Sequence, residues 1–261
     1  MKMLPLLQIR SIFNKKFILI LLSVLLFITL LQALRLRQYF LVYELDGTIL
    51  DFLFFTLGAR ENPTLFTFIL TWTVLSIFFL YVSFLSKKVI EDFAELLLSR
   101  VKTRIKLWFS ICITQFILSV ILFLAYGTIV IFIGRYFFGM DLSPSEYTVV
   151  FYSDWLDINP FLFVKMCLVF ISGLHALFMI GQFILLVFEN KAKSIMVFIL
   201  MMMTGSILYV YTSVHRIFAL SLYVSMISLG KDGILLGILV NLGIVISLVL
   251  FGCLQIRKKD L

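Results

Sequence analysis

The sequence has little charge. Charged residues make up 14% of its 261 residues and hydrophobic residues 62%, whereas roughly a quarter of an average soluble domain is charged. Cysteine is also scarce, since Cys112, Cys167 and Cys253 are the only three. Each falls inside an apolar run without metal-ligand spacing, which argues against a disulfide framework and against a metal site. The composition excludes an ordinary soluble domain and is typical of an integral membrane protein.

Catalytic signatures are missing as well. Gly230-Lys231 is followed by Asp232 and has no upstream glycine, so the chain lacks the phosphate-binding loop of ATPases. The two histidines, His175 and His215, lie far apart and form no His-Glu-x-x-His zinc motif, and no serine nucleophile elbow occurs. We therefore predict no catalytic residue, bound cofactor or metal ligand on this chain.

Apolar runs of spanning length recur along the chain and predict an all-α integral membrane protein with six transmembrane helices. The predicted spans are 17–34, 64–86, 107–133, 161–188, 194–211 and 234–255. One transmembrane domain, 1–261, then comprises an interfacial helix (1–16), spans one and two (17–86), a charged cytoplasmic helix (87–107), spans three to five (108–211), an outer re-entrant segment (212–233), span six (234–255) and a cytoplasmic tail (256–261). Two larger outer loops, 35–63 and 134–160, complete the prediction.

Residues 212–233 admit two interpretations, because polar ends flank an apolar middle of roughly spanning length, 217–229. With six spans, the cytoplasmic pieces hold 15 of the 22 basic residues and five of the 14 acids, which is the basic excess that the positive-inside rule requires. We therefore predict short helices that dip into the outer leaflet and return, with both termini cytoplasmic. The 15 basic residues are Lys2, Arg10, Lys15, Lys16, Lys87, Lys88, Arg100, Lys102, Arg104, Lys106, Lys191, Lys193, Arg257, Lys258 and Lys259.

The segment 91–108 is charged and amphipathic in an otherwise lipid-soluble sequence. On a helix, Phe93, Leu97 and Val101 share one side with Ile105, while acidic and basic residues crowd the other. Such a helix can lie on anionic lipid or dock into a groove of another protein. Arg100 and Arg104 are one turn apart and can present adjacent guanidinium groups to carboxylates.

Within this segment Glu95-Leu96-Leu97-Leu98-Ser99 is followed by Thr103-Arg104. This pattern, together with the order of the spans, resembles the permease subunits of type-2 ABC transporters, which are mostly bacterial exporters. Val101 stands where that family often has proline. The resemblance implies a cytoplasmic coupling helix that docks on a separate ATPase through Glu91, Glu95, Arg100, Thr103 and Arg104.

The resemblance also implies the partners and the location of the protein. These are two copies of a cytoplasmic ATPase that holds ATP and Mg, a second permease that is identical or similar, and the lipid of the bacterial plasma membrane. An amphipathic or peptide cargo, such as a peptide antibiotic or toxin, is expected to be exported or cleared. The basic residues serve here as orientation signals, so we expect no nucleic-acid partner.

Polar residues inside the spans are candidates for a transport pathway, and we single out His175, Gln182 and Asn241. Hydrogen bonding between helices is the other interpretation of such residues. Small residues that allow close helix packing are expected at Gly173, Ala176, Gly181, Gly233, Gly237 and Gly243.

The alternative function is a six-span membrane enzyme or a non-ATPase accessory or immunity protein. Its active groups would be four acids of the predicted outer loop, Asp141, Glu146, Asp154 and Asp157. A solvated acidic face is the other interpretation of this group of residues.

Overall fold

The computed structural model describes residues 9, 13, 15–43, 47–49, 51–52, 104–138, 141, 160–188, 190–211 and 230–258. Five long helices lie within these residues: α1 (Lys15–Tyr43), α2 (Arg104–Phe138), α3 (Pro160–Phe188), α4 (Lys191–Tyr211) and α5 (Gly230–Lys258). The predicted second span, nearly all of the predicted coupling helix and most of the re-entrant segment lie outside the described residues.

Four stretches of these helices are long and apolar enough to cross a membrane: Ile18–Val42, Arg104–Tyr136, Cys167–Phe188 and Leu235–Ile256. A shorter apolar stretch, Ala192–Met201, lies in α4. The all-helical fold class is therefore confirmed for the described residues, and the four apolar helices indicate a membrane-embedded protein.

Several helices are longer than their apolar runs. The first span was predicted to end at Leu34, but α1 continues through Arg35 and Arg37 to Tyr43, so the expected loop from residue 35 begins later. Arginine ends an apolar run without ending a helix, because it is a good helix former whose aliphatic stem lies along apolar surface. Helix α2 also extends beyond its predicted end at Ile133, to Phe138.

Three other predicted boundaries move. Residues 104–107, assigned to the charged cytoplasmic helix, form the first turn of α2. Residues 230–233, assigned to the re-entrant segment, open α5, which runs on to Lys258 and includes three residues of the predicted tail. Lys15 and Lys16, placed in the interfacial helix, open α1.

The start of α4 has a local cause. The Asn190 side-chain oxygen accepts hydrogen bonds from the backbone N–H groups of Ala192 and Lys193, at 2.9 and 3.3 Å. An asparagine that accepts from the second and third N–H groups of a helix is an N-cap. The helix therefore begins at Lys191 rather than at the predicted Ser194, and residues 189–190 link it to α3.

The helices α2, α3 and α5 form a three-helix contact. Going up α2 from Phe116 to Tyr126, the aromatic partner on α3 changes from His175 back to Phe170, so α2 and α3 are antiparallel. Going up α3, the partners on α5 advance from Asn241, which bonds Ser172, to Ile256, which shares a buried cluster with Met179. Helices α3 and α5 are therefore parallel.

The directions of the helices define two ends of the bundle. The backbone N–H of Ile49, just beyond α1, donates to the carbonyl oxygen of Asp141, just beyond α2, at 2.8 Å. Since α1 also packs against α2, these two helices are parallel. We call the end where α1, α2 and α4 begin, and where α3 and α5 end, the basic end.

The charges of the described side chains differ between the two ends. Lys16, Arg104, Lys106 and Lys193 lie at the starts of their helices, at the basic end. Both acidic side chains that the structure describes, Asp51 and Asp141, lie at the opposite end. Four other described basic residues, Arg35, Arg37, Arg135 and Lys165, lie toward the opposite end, so the two ends differ through the two acids. The net charge of the described side chains is +4 at the basic end and +2 at the opposite end, a difference in the direction that the positive-inside rule predicts.

The parallel packing of α3 and α5 bears on the two interpretations of residues 212–233. Helix α4 follows α3 after a two-residue link and packs against it, so it runs from the basic end toward the opposite end. Helix α5 also starts at that opposite end. The end of α4 and the start of α5 therefore lie at the same end of the bundle, which is the arrangement that the six-span interpretation predicts.

Candidate functional site

Two of the predicted pathway residues, His175 and Asn241, lie within about one helical turn of the same level of the bundle. Asn241 of α5 donates from Nδ2 to the Oγ of Ser172 on α3, at 3.1 Å. His175 lies one turn after Ser172 on the same helix, so both project from one face of α3. We call Ser172, His175 and Asn241 the polar layer.

The hydrogen bonds of the polar layer fix the orientation of the Asn241 amide. The Ser172 hydroxyl donates its single proton to the carbonyl oxygen of Val169, at 2.9 Å. Its oxygen can therefore only accept from Asn241, which requires the amide nitrogen on that side. The Asn241 Oδ1 then faces away from Ser172, is fully buried, and has no hydrogen-bond partner among the described residues.

His175 is the second incompletely bonded member of this layer. Its side chain is buried, and its ring meets the ring of Phe116 on α2 edge to face, with centroids 5.4 Å apart. Within the described part of the chain, its Nδ1 atom has no hydrogen-bond partner. A buried polar atom left without a partner costs about 1–3 kcal/mol. A ligand that brings hydrogen-bond donors to this level would recover part of that cost.

Gln182, the third predicted pathway residue, is buried but lies two turns beyond His175, about 10 Å farther along α3. Asn241 thus contacts α3 at Ser172, one turn from His175, while Gln182 lies nearer the basic end. Sequence reasoning missed Ser172, which links them. The sequence did contain a signal for it, because Ser172 lies three residues before His175 and therefore on the same face of a predicted helix.

Of the five predicted coupling residues, the structure describes Arg104. It is the first residue of α2, is half-buried, and lies at the basic end. Glu91, Glu95, Arg100 and Thr103 lie outside the described residues, so their roles stay predictions. Their position along the chain places them directly before the start of α2.

Of the four acidic residues that the alternative function would use, the structure describes one, Asp141. Asp141 forms an ion pair with Arg135 at 2.6 Å, and both side chains are largely exposed. Glu146, Asp154 and Asp157 lie outside the described residues. The described residues contain no group of three or more His, Cys, Asp or Glu side chains that could hold a metal ion. At Asp141 the structure therefore shows a solvated ion pair.

No protein-family model, curated protein or solved structure matches this chain.

Proposed function

We propose that this chain is the membrane-spanning permease subunit of an ATP-driven ABC transporter of the type-2 family. It works in the bacterial plasma membrane, as a homodimer or with a similar permease, together with two copies of a separate ATPase that binds ATP and Mg. The cargo is an amphipathic or peptide substrate, such as a peptide antibiotic or toxin, which is exported or cleared.

The observation that carries the proposal is the place where α2 begins. Arg104 opens α2 at the basic end, and the charged segment 91–103 directly precedes it in the sequence. The positive-inside rule assigns the basic end to the cytoplasm, where an ATPase can reach it. A segment rich in guanidinium and carboxylate groups at that position suits docking on a soluble protein.

The finer topology belongs to the same proposal. Phe52 lies near the end of α2, because its neighbour Ile49 bonds Asp141, whereas Arg104 lies at the start of α2. One crossing at 64–86 would join these two positions. With the re-entrant segment at 212–233, the protein has six spans and cytoplasmic termini. A tag at residue 261 that an impermeant reagent labels from outside sealed cells would overturn this topology.

The mechanism follows from the length of α2. Closure of the two ATPases displaces the coupling segment, and α2 is one continuous helix of 35 residues, about 52 Å long, that carries the displacement into the membrane. Exchange between inward and outward states then opens a cleft between the two permeases.

The polar layer supplies acceptor groups for the cargo in this mechanism. Asn241 Oδ1 is a buried acceptor that suits the N–H groups of a peptide or an ammonium group, and His175 Nδ1 accepts in one imidazole tautomer and donates in the other. Because most of the buried side chains of the bundle are apolar, these polar groups would fix the orientation of a mostly apolar cargo. Gln182 lies on the same helix toward the cytoplasmic end and extends the pathway in that direction.

The test is substitution of Arg104 by Glu. The chain is co-expressed with the ATPase that a neighbouring reading frame encodes, and the ATPase retained on the purified permease is measured. We expect loss of retention, because the charge of a docking group is reversed. Lys193→Glu is the matched control, since Lys193 is exposed at the same end but begins another helix.

Two results would contradict the proposal. One is an unchanged retention of the ATPase by the Arg104→Glu variant. The other is a genome in which no reading frame beside this one encodes an ATPase with a phosphate-binding loop, which would favour the membrane-enzyme or accessory function.

A further inference from the structure

A tryptophan near the start of α2 is hydrogen-bonded to α5, the last described helix of the chain. Trp108 lies one turn after Arg104, and its side chain is 1% exposed. Its indole N–H donates to the backbone carbonyl oxygen of Val249 on α5, at 3.0 Å. A buried indole N–H needs such an acceptor, and a helical carbonyl has a second lone pair to offer.

The helix α5 has no side chain at the place where the indole lies. A Cβ atom added at Gly252 would overlap the indole ring and would lie 2.6 Å from its Nε1 atom. Another glycine of the same helix, Gly243, has nothing within 4 Å of such an atom. Glycine at 252 is therefore required for the close approach of α5 to Trp108. We call Trp108, Val249 and Gly252 the α2–α5 joint.

The joint is enclosed by apolar packing from three helices. Leu107 and Ile111 of α2, Met179 of α3 and Ile256 of α5 form one buried cluster with Trp108. The cluster lies near the basic end, close to the start of α2. Because packed interiors have few alternative arrangements, such a contact moves as a unit rather than deforming gradually.

We infer that the α2–α5 joint transmits displacement of the start of α2 directly to α5, which makes Trp108 and Gly252 positioning residues of the transport cycle. The inference rests on the proposed function, in which the ATPase acts at Arg104. Asn241 lies eight residues before Val249 on the continuous helix α5. Movement of α5 would therefore shift Asn241 against Ser172 and change the polar layer at the same time as the basic end.

The test compares two cysteine reporters in the full permease–ATPase complex in lipid nanodiscs, which leave both faces of the membrane open to added reagents. Lys106→Cys reports on α2 beside the joint, and Leu235→Cys reports on the far end of α5, where Leu235 is exposed. The rate of labelling by a membrane-impermeant maleimide is measured without nucleotide and after trapping with ATP and vanadate. The chain with its three native cysteines gives the background.

We expect both reporters to change their labelling rate with nucleotide state. In the Gly252→Ala background the change at residue 235 should be lost, while the change at residue 106 should persist. Gly243→Ala is the matched control and should keep both changes, because that position is open. If Gly252→Ala does not yield folded protein, Trp108→Phe, which keeps a ring but lacks the N–H, should reduce the change at residue 235.

The outcomes separate this inference from the proposed function. If residue 106 does not respond to nucleotide in the unaltered complex, the proposed coupling through α2 fails, and the inference fails with it. If residue 106 responds but residue 235 does not, or if the response at 235 survives both Gly252→Ala and Trp108→Phe, transmission through the joint is overturned and the proposed function stands.

Discussion

Helix α5 takes part in both the α2–α5 joint and the polar layer, and these two contacts differ in how completely their polar atoms are hydrogen-bonded. In the joint, the one polar hydrogen of Trp108 is bonded, and Gly252 leaves no room for another atom. In the polar layer, Asn241 and His175 each keep a buried atom without a partner among the described residues. The comparison indicates that α5 is held firmly near its C-terminal end and is incompletely bonded at mid-length. We therefore expect the joint to contribute mainly to the stability of the fold, and the polar layer to contribute mainly to binding of a ligand.

The largest effect is expected from removing the indole of the joint. Trp108→Ala should lower the free energy of unfolding by about 3–5 kcal/mol, because it deletes a large buried side chain and leaves a cavity. Thermal unfolding in detergent checks this. A midpoint equal to that of the unaltered chain would show that the joint does not hold α5.

Replacing a glycine of α5 by alanine should change the stability differently at positions 252 and 243. Gly252→Ala should destabilise by about 1–3 kcal/mol through overpacking against Trp108. Gly243→Ala should be neutral or stabilise by up to about 1 kcal/mol, because alanine favours helix and the position is open. Equal effects of the two substitutions on the unfolding midpoint would contradict the close packing at Gly252.

Substitutions of Ser172 and Asn241, the two hydrogen-bonded partners of the polar layer, should change the stability by different amounts. Ser172→Ala leaves the Asn241 amide without its acceptor and should cost about 1–2 kcal/mol. Asn241→Leu removes a group that is already incompletely bonded, so we expect a cost below about 1 kcal/mol.

The double variant of these two residues tests the coupling between them. It should behave like Asn241→Leu alone, because without the Asn241 amide the loss of Ser172 leaves no buried N–H group without an acceptor. Additive effects in the unfolding midpoints of the two single variants and the double variant would show that the two side chains do not interact.

The smallest effect is expected at the surface of the opposite end. Arg135→Ala removes an exposed ion pair with Asp141 and should change the stability by at most about 0.5 kcal/mol, and by less in high salt. Melting curves at low and high ionic strength check this. A change as large as that of Gly252→Ala would mean that the pair holds the end of α2.

The sequence predicted those helix bounds that depend on the local pattern of apolar and polar residues. The apolar run of α3 and the polar residues after Phe188 gave bounds within one residue of the observed helix. The ends of α1 and α2 were wrong, because helices continue past the hydrocarbon wherever the residues are good helix formers. Charge in Arg35 and Arg37 marks the edge of an apolar run, not the end of a helix.

Contacts between distant helices were the part that sequence could not supply. Gly243 was expected to allow close packing, but no other helix that the structure describes packs against that position. Gly252, which does receive a side chain, was not singled out, because its partner lies more than a hundred residues away. A glycine in an apolar run shows that close approach is possible, but only the neighbouring helix shows whether it occurs.

The most direct test of the permease proposal is the rate of ATP hydrolysis by the neighbouring ATPase in vesicles that contain this chain. The unaltered chain should raise the rate over that of the ATPase alone, Lys193→Glu should raise it equally, and Arg104→Glu should not raise it. A full stimulation by the Arg104→Glu variant would contradict docking at the start of α2, and with it the account of how this protein is driven.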